Sequence, residues 1–339
     1  MIRISNMDET VICTVEGRVG RIHLNRPKAL NALDLPMIEA MQAALEDWRD
    51  RPEIHAVVVD AQGERAFCAG GDVRTIRAQA MAGDTAPIAA FFAAEYRLNQ
   101  MIADYPKPYV ALIDGVCLGG GIGASVHGSH RIATEHAMFA MPETAIALFP
   151  DVGATYLLPR LPGALGMYLA LTGARVTGAD AVHAGWATHF VPRAKLPALR
   201  DALAADGVAV MAAFAEPLPA FALAPQMGVI NAAFGKASVA EIVAALEADG
   251  GEFAAAALSL LRGMSPSSVY WSFKIVSQGA HRNLPECLAA ELALVKKVTV
   301  HPEFFEGVRA VLVDKDRAPR WQPARLEEVE PAMIDGLFA

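Results

Sequence analysis

The chain has 339 residues, 54% of them hydrophobic and 19% charged, enough apolar material for a sizeable buried core and too much for long disordered stretches. Its net charge of −8 argues against a general nucleic-acid or membrane-surface partner, although a local group of Arg and Lys can still hold the phosphates of a small ligand. Cys13, Cys68, Cys117 and Cys287 are widely spaced and form no CxxC, which suits a reducing compartment and excludes a disulfide scaffold or a cysteine-rich zinc site.

Met1 to Glu9 carries charge and lacks an apolar run, so it does not read as a secretory signal, and a soluble cytoplasmic protein is expected. Val19 to Leu24 reads as a strand, and Pro36 to Arg49 as a helix with Met37, Met41, Leu45 and Trp48 on one face. Ala56 to Asp60 and Pro108 to Ile113 read as short buried strands. This alternation predicts an α/β domain with much parallel pairing over residues 1–210. His127 and His130 have the spacing of one helical face, but no HExxH frame surrounds them and no metal is expected. From about Ala215 the composition changes. Pro217 to Gly235 is the most apolar uncharged stretch, and its prolines at 217, 219 and 225 disfavour a membrane helix. Ser238-Val-Ala-Glu241 reads as a capping-box start to a helix that stops at Gly250-Gly251, and Ser265-Pro266 opens another. Residues 211–339 are expected to be mainly helical.

Two segments share one layout, a buried strand, then glycines, then a helix. One runs from Ala56 through Ala66-Phe-Cys-Ala-Gly70-Gly71-Asp72 to a helix from Val73. The other runs from Tyr109 through Gly115-Val-Cys-Leu-Gly119-Gly120-Gly121-Ile-Gly123 to a helix through His127. Glycines let a backbone approach a ligand closely, and the N–H groups at a helix start favour negative charge there. Two such groups aimed at one point would stabilise the oxyanion of an attacked carbonyl or thioester. Tight helix–strand packing explains the same glycines equally well. Dinucleotide binding does not, because Glu143 follows Met141-Pro142 instead of closing a strand, and no P-loop pattern is present.

Glu143 and Asp151 stand eight residues apart in otherwise apolar sequence, with Pro150 ending whatever helix lies between them. By pattern they are either a first-turn helix acid and a cap, or a pair lining a dry pocket that divides acid and base roles.

Phe67-Cys-Ala-Gly-Gly-Asp72 and Gly119-Gly-Gly121 at this separation resemble the two signature segments of the crotonase family. The resemblance implies an α/β core of repeated ββα turns in a spiral, with a helical C-terminal region. It also implies that acyl-CoA lies between the turns, with the thioester oxygen held by the N–H groups of Gly71 and Gly120 beside Gly70, Gly119 and Gly121. Further segments are similar to the 3-hydroxyisobutyryl-CoA hydrolases of that family. They include Phe91 to Asn99, Met141 to Ile146, Leu148 to Gly153, Leu158 to Leu161, Leu169 to Gly173, Gly185 to His189, Met264 to Pro266 and Glu306 to Asp316, so the likeness covers nearly the whole chain.

Two positions separate this chain from hydratases, which add water with two glutamates. The first of those positions is Gly123 here, the second survives as Glu143, and Asp151 stands where hydratases usually carry glycine. The resemblance therefore implies hydrolysis of a short branched 3-hydroxyacyl-CoA. Glu143 would attack the thioester or activate water, Asp151 would be the acid partner, and Glu95 would bind the hydroxyl end of the substrate. Arg26, Lys28 and Arg74 flank loops suited to coenzyme A phosphates by position only. Coenzyme A is part of the substrate, no separate cofactor is implied, and assembly into a homo-oligomer is consistent with the family. The alternatives are an enoyl-CoA hydratase or isomerase on the same scaffold, or a non-catalytic acyl-CoA-binding relative. One departure concerns the acyl pocket: the resembled hydrolases carry further glycines where this chain has Ala154-Thr155, residues expected to reshape that pocket.

Overall fold

The computed structural model describes residues 9–338, so the reading of Met1 to Glu9 lies, Glu9 apart, outside the described residues. The chain forms two compact units that interleave in sequence. The first takes the described residues up to Gly71, with Ala94–Phe139 and Val176–Phe221. The second takes Asp72–Ala93, Ala140–Arg175 and the residues from Ala222 on. These units do not follow the expected cut after residue 210. Composition records where the run of helices begins, but not which earlier segments pack with it.

The strands, in chain order, are β1 (Val11–Glu16), β2 (Val19–Leu24), β3 (Ala56–Ala61), β4 (Ala66–Cys68), β5 (Tyr109–Ile113), β6 (Val116–Leu118), β7 (His130–Ala133), β8 (Met138–Ala140), β9 (Val176–Thr177) and β10 (His189–Phe190). A six-stranded sheet has the order β1-β2-β3-β5-β7-β10, and a four-stranded sheet the order β4-β6-β8-β9. Only the β1–β2 hairpin is antiparallel in the larger sheet; β2, β3, β5, β7 and β10 run parallel. Strands β3 and β5 read as unbroken apolar runs rather than alternating ones because parallel strands are covered on both faces. Val57, Val58, Val59 and Val110 are accordingly fully buried. The Leu196–Asp206 helix covers one face, setting Leu199 and Leu203 against Val58, Val110 and Ile132.

Helix α1 (Leu35–Arg49) starts where Asp34 accepts the Met37 N–H over 3.0 Å, and it buries the expected face of Met37, Met41, Leu45 and Trp48. Helices α2 (Val73–Met81), α3 (Ala86–Ala103) and the single turn α4 (Gly120–Gly123) follow. Together with the strands they form a repeat, two copies of which share the glycine layout seen in the sequence. The chain lays down a longer strand, a short strand and then a helical turn, as β3-β4-α2, as β5-β6-α4, and as β7-β8 followed by a 3₁₀ turn at Glu143–Ile146. The longer strands stack in one sheet and the short strands in the other, which is the expected spiral of ββα units.

The helix after the second glycine turn ends at Gly123 instead of running through His127. Its glycines are poor helix formers, and the Ser125 hydroxyl donates back to the Gly121 carbonyl over 2.7 Å. His127 and His130 therefore share no helical face: His130 opens β7 and stacks on His189 with ring centroids 5.9 Å apart.

In the second unit the regular elements from Ala222 on are helices. Ser238 caps the Val239–Asp249 helix through Glu241 N–H at 3.2 Å, but the Glu241 carboxylate accepts from Ala237 rather than completing the box at Ser238. Gly250 ends that helix at φ 63°. Ser265 caps the Pro266–Gly279 helix, and Asn283 with Glu286 forms a full capping box at the start of the Leu284–Val298 helix. No helix among the described residues is long and apolar enough to cross a membrane.

Candidate active site

In the first unit the two glycine turns meet. Each follows a short strand of the smaller sheet, β4 for Gly70-Gly71 and β6 for Gly119-Gly120, and β4 pairs with β6. Asn31 supports the first turn from below: its amide donates to the carbonyls of Gln62 and Ala66, each at 3.0 Å, and its oxygen accepts the Arg26 N–H. The Gly70 carbonyl accepts from Leu33 N–H over 2.8 Å. Because that peptide is planar and trans, the Gly71 N–H points the opposite way. The Gly119 carbonyl accepts from Gly123 N–H over 3.1 Å within α4. The Gly120 N–H therefore points out past the helix start, where no intrahelical acceptor exists.

Gly119 has φ 45° and ψ −114°, a conformation closed to residues with a side chain. Gly120 is needed for space: a Cβ there would fall 3.3 Å from the Gly71 nitrogen and 2.5 Å from Glu95 Oε1. A Cβ at Gly121 would strike the Cys68 carbonyl oxygen at 2.4 Å. Gly71, Gly120 and Glu95, singled out separately in the sequence, are thus brought together, with Glu95 on α3 only 2% exposed. Two backbone donors side by side can bind an oxygen that gains negative charge. Gly123 is fully enclosed and offers no side chain.

In the second unit Glu143 opens the 3₁₀ turn after β8, the place in its ββα repeat that the glycines hold in theirs. It is 5% exposed. The chain then passes Leu148, whose carbonyl accepts from Trp271 Nε1 at 3.1 Å and from the Ser268 hydroxyl. It reaches Asp151, 4% exposed. Val152 follows at φ 53° and Gly153 at φ 81°. A β-branched residue in the left-handed region costs of order 1–3 kcal/mol and persists only where its surroundings dictate it. The next element, α5 (Ala154–Leu157), is a single turn.

Its N–H groups meet a residue that the sequence reading missed. Glu291, on the Leu284–Val298 helix, is fully buried. It accepts Gly153 N–H at 2.8 Å, Thr155 N–H at 3.2 Å and the Thr155 hydroxyl at 2.5 Å. Burial first, and the Asp151 charge second, push its carboxyl up to about 8, against the pull of those donors. The signal was present: Leu284, Cys287, Leu288, Glu291, Leu294, Val295 and Val298 form one buried helical stripe, and Glu291 is the charged member of it. The Thr155 hydroxyl, expected to reshape an acyl pocket, is directed to this carboxyl.

The basic residues are less uniform. Arg26 is half-buried, donates to the Ala32 carbonyl at 3.0 Å and lies 3.6 Å from Asp34, while Lys28 and Arg74 are exposed. Among the described residues no group of three or more His, Cys, Asp or Glu is placed to hold a metal ion.

Comparison with known proteins places these features in a family. The family model described as enoyl-CoA hydratase/isomerase matches residues 19–338. A Xenopus tropicalis protein named 3-hydroxyisobutyryl-CoA hydrolase, mitochondrial, is 46% identical over 98% of this chain and 89% of its own length. Its Homo sapiens namesake is 43% identical over 100% of this chain and 90% of its own length. Among solved structures, a carnitinyl-CoA dehydratase from Mycobacterium thermoresistibile superposes with a TM-score of 0.94 at 42% identity, covering 98% of this chain and 97% of that one. An enoyl-CoA hydratase from Rhodobacter sphaeroides 2.4.1 gives 0.92 at 41%, with the same coverage. The names of the curated relatives overturn the cytoplasmic expectation, since both are called mitochondrial. Free cysteines and a polar N-terminal stretch do not distinguish one reducing compartment from another, so that reading had no physical basis. With a family model spanning nearly the whole chain and relatives of this similarity, the chain belongs to the enoyl-CoA hydratase/isomerase, or crotonase, family.

Proposed function

We propose that this chain hydrolyses 3-hydroxyisobutyryl-CoA to 3-hydroxyisobutyrate and coenzyme A, a step of valine catabolism. The observation that carries the reading is the agreement of name among relatives 46% and 43% identical over nearly the full chain.

The chemistry follows from the residues. The Gly71 and Gly120 N–H groups hold the thioester oxygen as it gains charge, a role in which one donor is typically worth about 2.7–4 kcal/mol. Gly70, Gly119 and Gly121 let the backbone come close enough for that. Glu143 acts on the thioester carbon, either as nucleophile through a transient anhydride or as the base that takes a proton from water. In the first route the carbon–sulfur bond breaks as the anhydride forms, and water then cleaves the anhydride; in the second the attacking water displaces the thiolate directly. In either route Asp151, having taken up a proton from solvent, passes it to the departing thiolate. Glu95 accepts a hydrogen bond from the 3-hydroxyl, and Arg26, Lys28 and Arg74 meet the phosphates. Coenzyme A arrives as part of the substrate, and no separate cofactor enters. Assembly into a homo-oligomer fits the family, and light scattering of the purified protein decides it.

A second reading, hydration of an enoyl-CoA, is favoured by the names of the two solved structures. Against it stands Gly123, at the position where hydratases carry the first of their two glutamates. Incubation with crotonyl-CoA and with 3-hydroxyisobutyryl-CoA separates the two. Free thiol from the latter alone supports hydrolysis, whereas loss of enoyl absorbance without thiol release sinks it.

A further inference from the structure

We infer that Glu291 is a positioning residue for this reaction, holding the Asp151–Thr155 turn, and with it the Asp151 carboxyl, in its working orientation. The inference rests on the hydrolase reading only in giving Asp151 a part in the chemistry.

The geometry carries it. Glu291 occupies a place on a buried apolar stripe where leucine would pack at no electrostatic cost. A carboxyl is kept there with its hydrogen-bond donors in one short segment. Oε2 takes the Gly153 N–H, and Oε1 takes both the N–H and the hydroxyl of Thr155. Those donors begin two residues after Asp151 and bracket the start of α5. Between them and Asp151 lies Val152, in a left-handed conformation that its own side chain disfavours. Releasing the donors frees that turn to relax, and Asp151, whose own carbonyl accepts from Ala154 N–H at 2.8 Å, moves with it. The two carboxyls also feel each other, because the charge of Asp151 raises Glu291. Cys287, one turn earlier on the same helix, also feels Glu291, and Arg160 and Arg282 act on it in turn.

Glu291→Gln keeps the shape and replaces the ionisable carboxyl by an amide with one acceptor oxygen fewer, whereas Thr155→Val removes the hydroxyl alone. Both are made in the full chain. Thiol release from 3-hydroxyisobutyryl-CoA, its pH profile, circular dichroism and amide exchange over residues 151–155 are then measured. E291Q is expected to lower kcat by about 10–100-fold, the scale of a small misplacement of a reacting group. KM should stay within about threefold, the pH profile of kcat should shift, and the Gly153 and Thr155 amides should exchange faster. T155V should move the same quantities less far in the same direction. A folded E291Q with wild-type kcat overturns the inference, as does a loss of kcat with unchanged exchange over 151–155. If E291Q does not fold, T155V decides, and wild-type kcat there overturns it. Absence of thiol release by the unaltered protein would instead overturn the hydrolase reading, and the exchange measurement would still decide whether Glu291 holds the turn.

Discussion

Glu95 Oε1 occupies the space that a side chain on Gly120 would need, 2.5 Å from where its Cβ would lie. One residue provides an outward N–H and the other a buried carboxyl, and the absence of a side chain on the first is what lets the second sit against it. The N–H proposed to hold a thioester oxygen and the carboxyl proposed to meet a hydroxyl thus lie side by side.

Gly120→Ala follows directly. The methyl group must displace Glu95 and press on the Gly70–Gly71 peptide, 3.3 Å away. Overpacking of this kind costs about 1–3 kcal/mol of stability. Disturbing an oxyanion donor costs on the order of 10²–10³ in kcat. Thiol release and a thermal melt on the same preparation measure both effects, and full activity in a folded variant would remove Gly120 from the site.

Glu143→Gln and Asp151→Asn test the assigned chemistry. General acid–base groups contribute about 10²–10⁴ in rate, so each variant should lose at least about 10² in kcat with KM changed only severalfold. Unchanged turnover by E143Q would point to a binding protein or to a different base.

Glu95→Ala tests recognition of the hydroxyl end. Removing one partner of a buried hydrogen bond leaves the other unsatisfied, at a cost of about 1–3 kcal/mol. The wild-type preference for 3-hydroxyisobutyryl-CoA over isobutyryl-CoA, taken as a ratio of kcat/KM, should fall by about 10–100-fold in the variant. A ratio that does not move would place the hydroxyl elsewhere.

Glu291 also gives stability a pH dependence of known sign. Its carboxyl is raised in the folded protein to about 8 from 4.5. Between those values the folded chain holds a proton that the unfolded chain has released, so stability falls as pH rises through that window. His130, His189 and His301, held below their ordinary value mainly by burial, act in the opposite sense below about pH 6.5. Glu303, raised mainly by burial, acts in the same sense as Glu291, so the difference between the unaltered protein and E291Q above about pH 6.5 is what isolates Glu291. The melting temperature of the unaltered protein should fall from about pH 6.5 to about 8 more steeply than that of E291Q; equal slopes would show that Glu291 does not hold its proton.

The parts of this protein that depend on local chain chemistry could be read from its sequence. The apolar run Val57-Val-Val59 read as a covered strand, Ser238 and Ser265 could be recognised as caps, and the spacing of Met37, Met41, Leu45 and Trp48 gave the buried face of α1. The glycines at 70–71 and 119–121 announced close approach, and the family resemblance joined them to Glu95, Glu143 and Asp151. Tertiary structure alone decided the rest. The first two copies of the ββα repeat share a glycine turn that the sequence shows, whereas the third, β7-β8 with the Glu143–Ile146 turn, lacks those glycines and is a repeat of shape alone. That Glu95 abuts Gly120, and that Glu291 grips a turn 136 residues earlier in the chain, depends on which helix lies against which turn. Periodicity marks a buried stripe, and it can show that one member of the stripe is charged. It cannot name the N–H groups that make that burial tolerable, because they come from a distant segment brought there by folding.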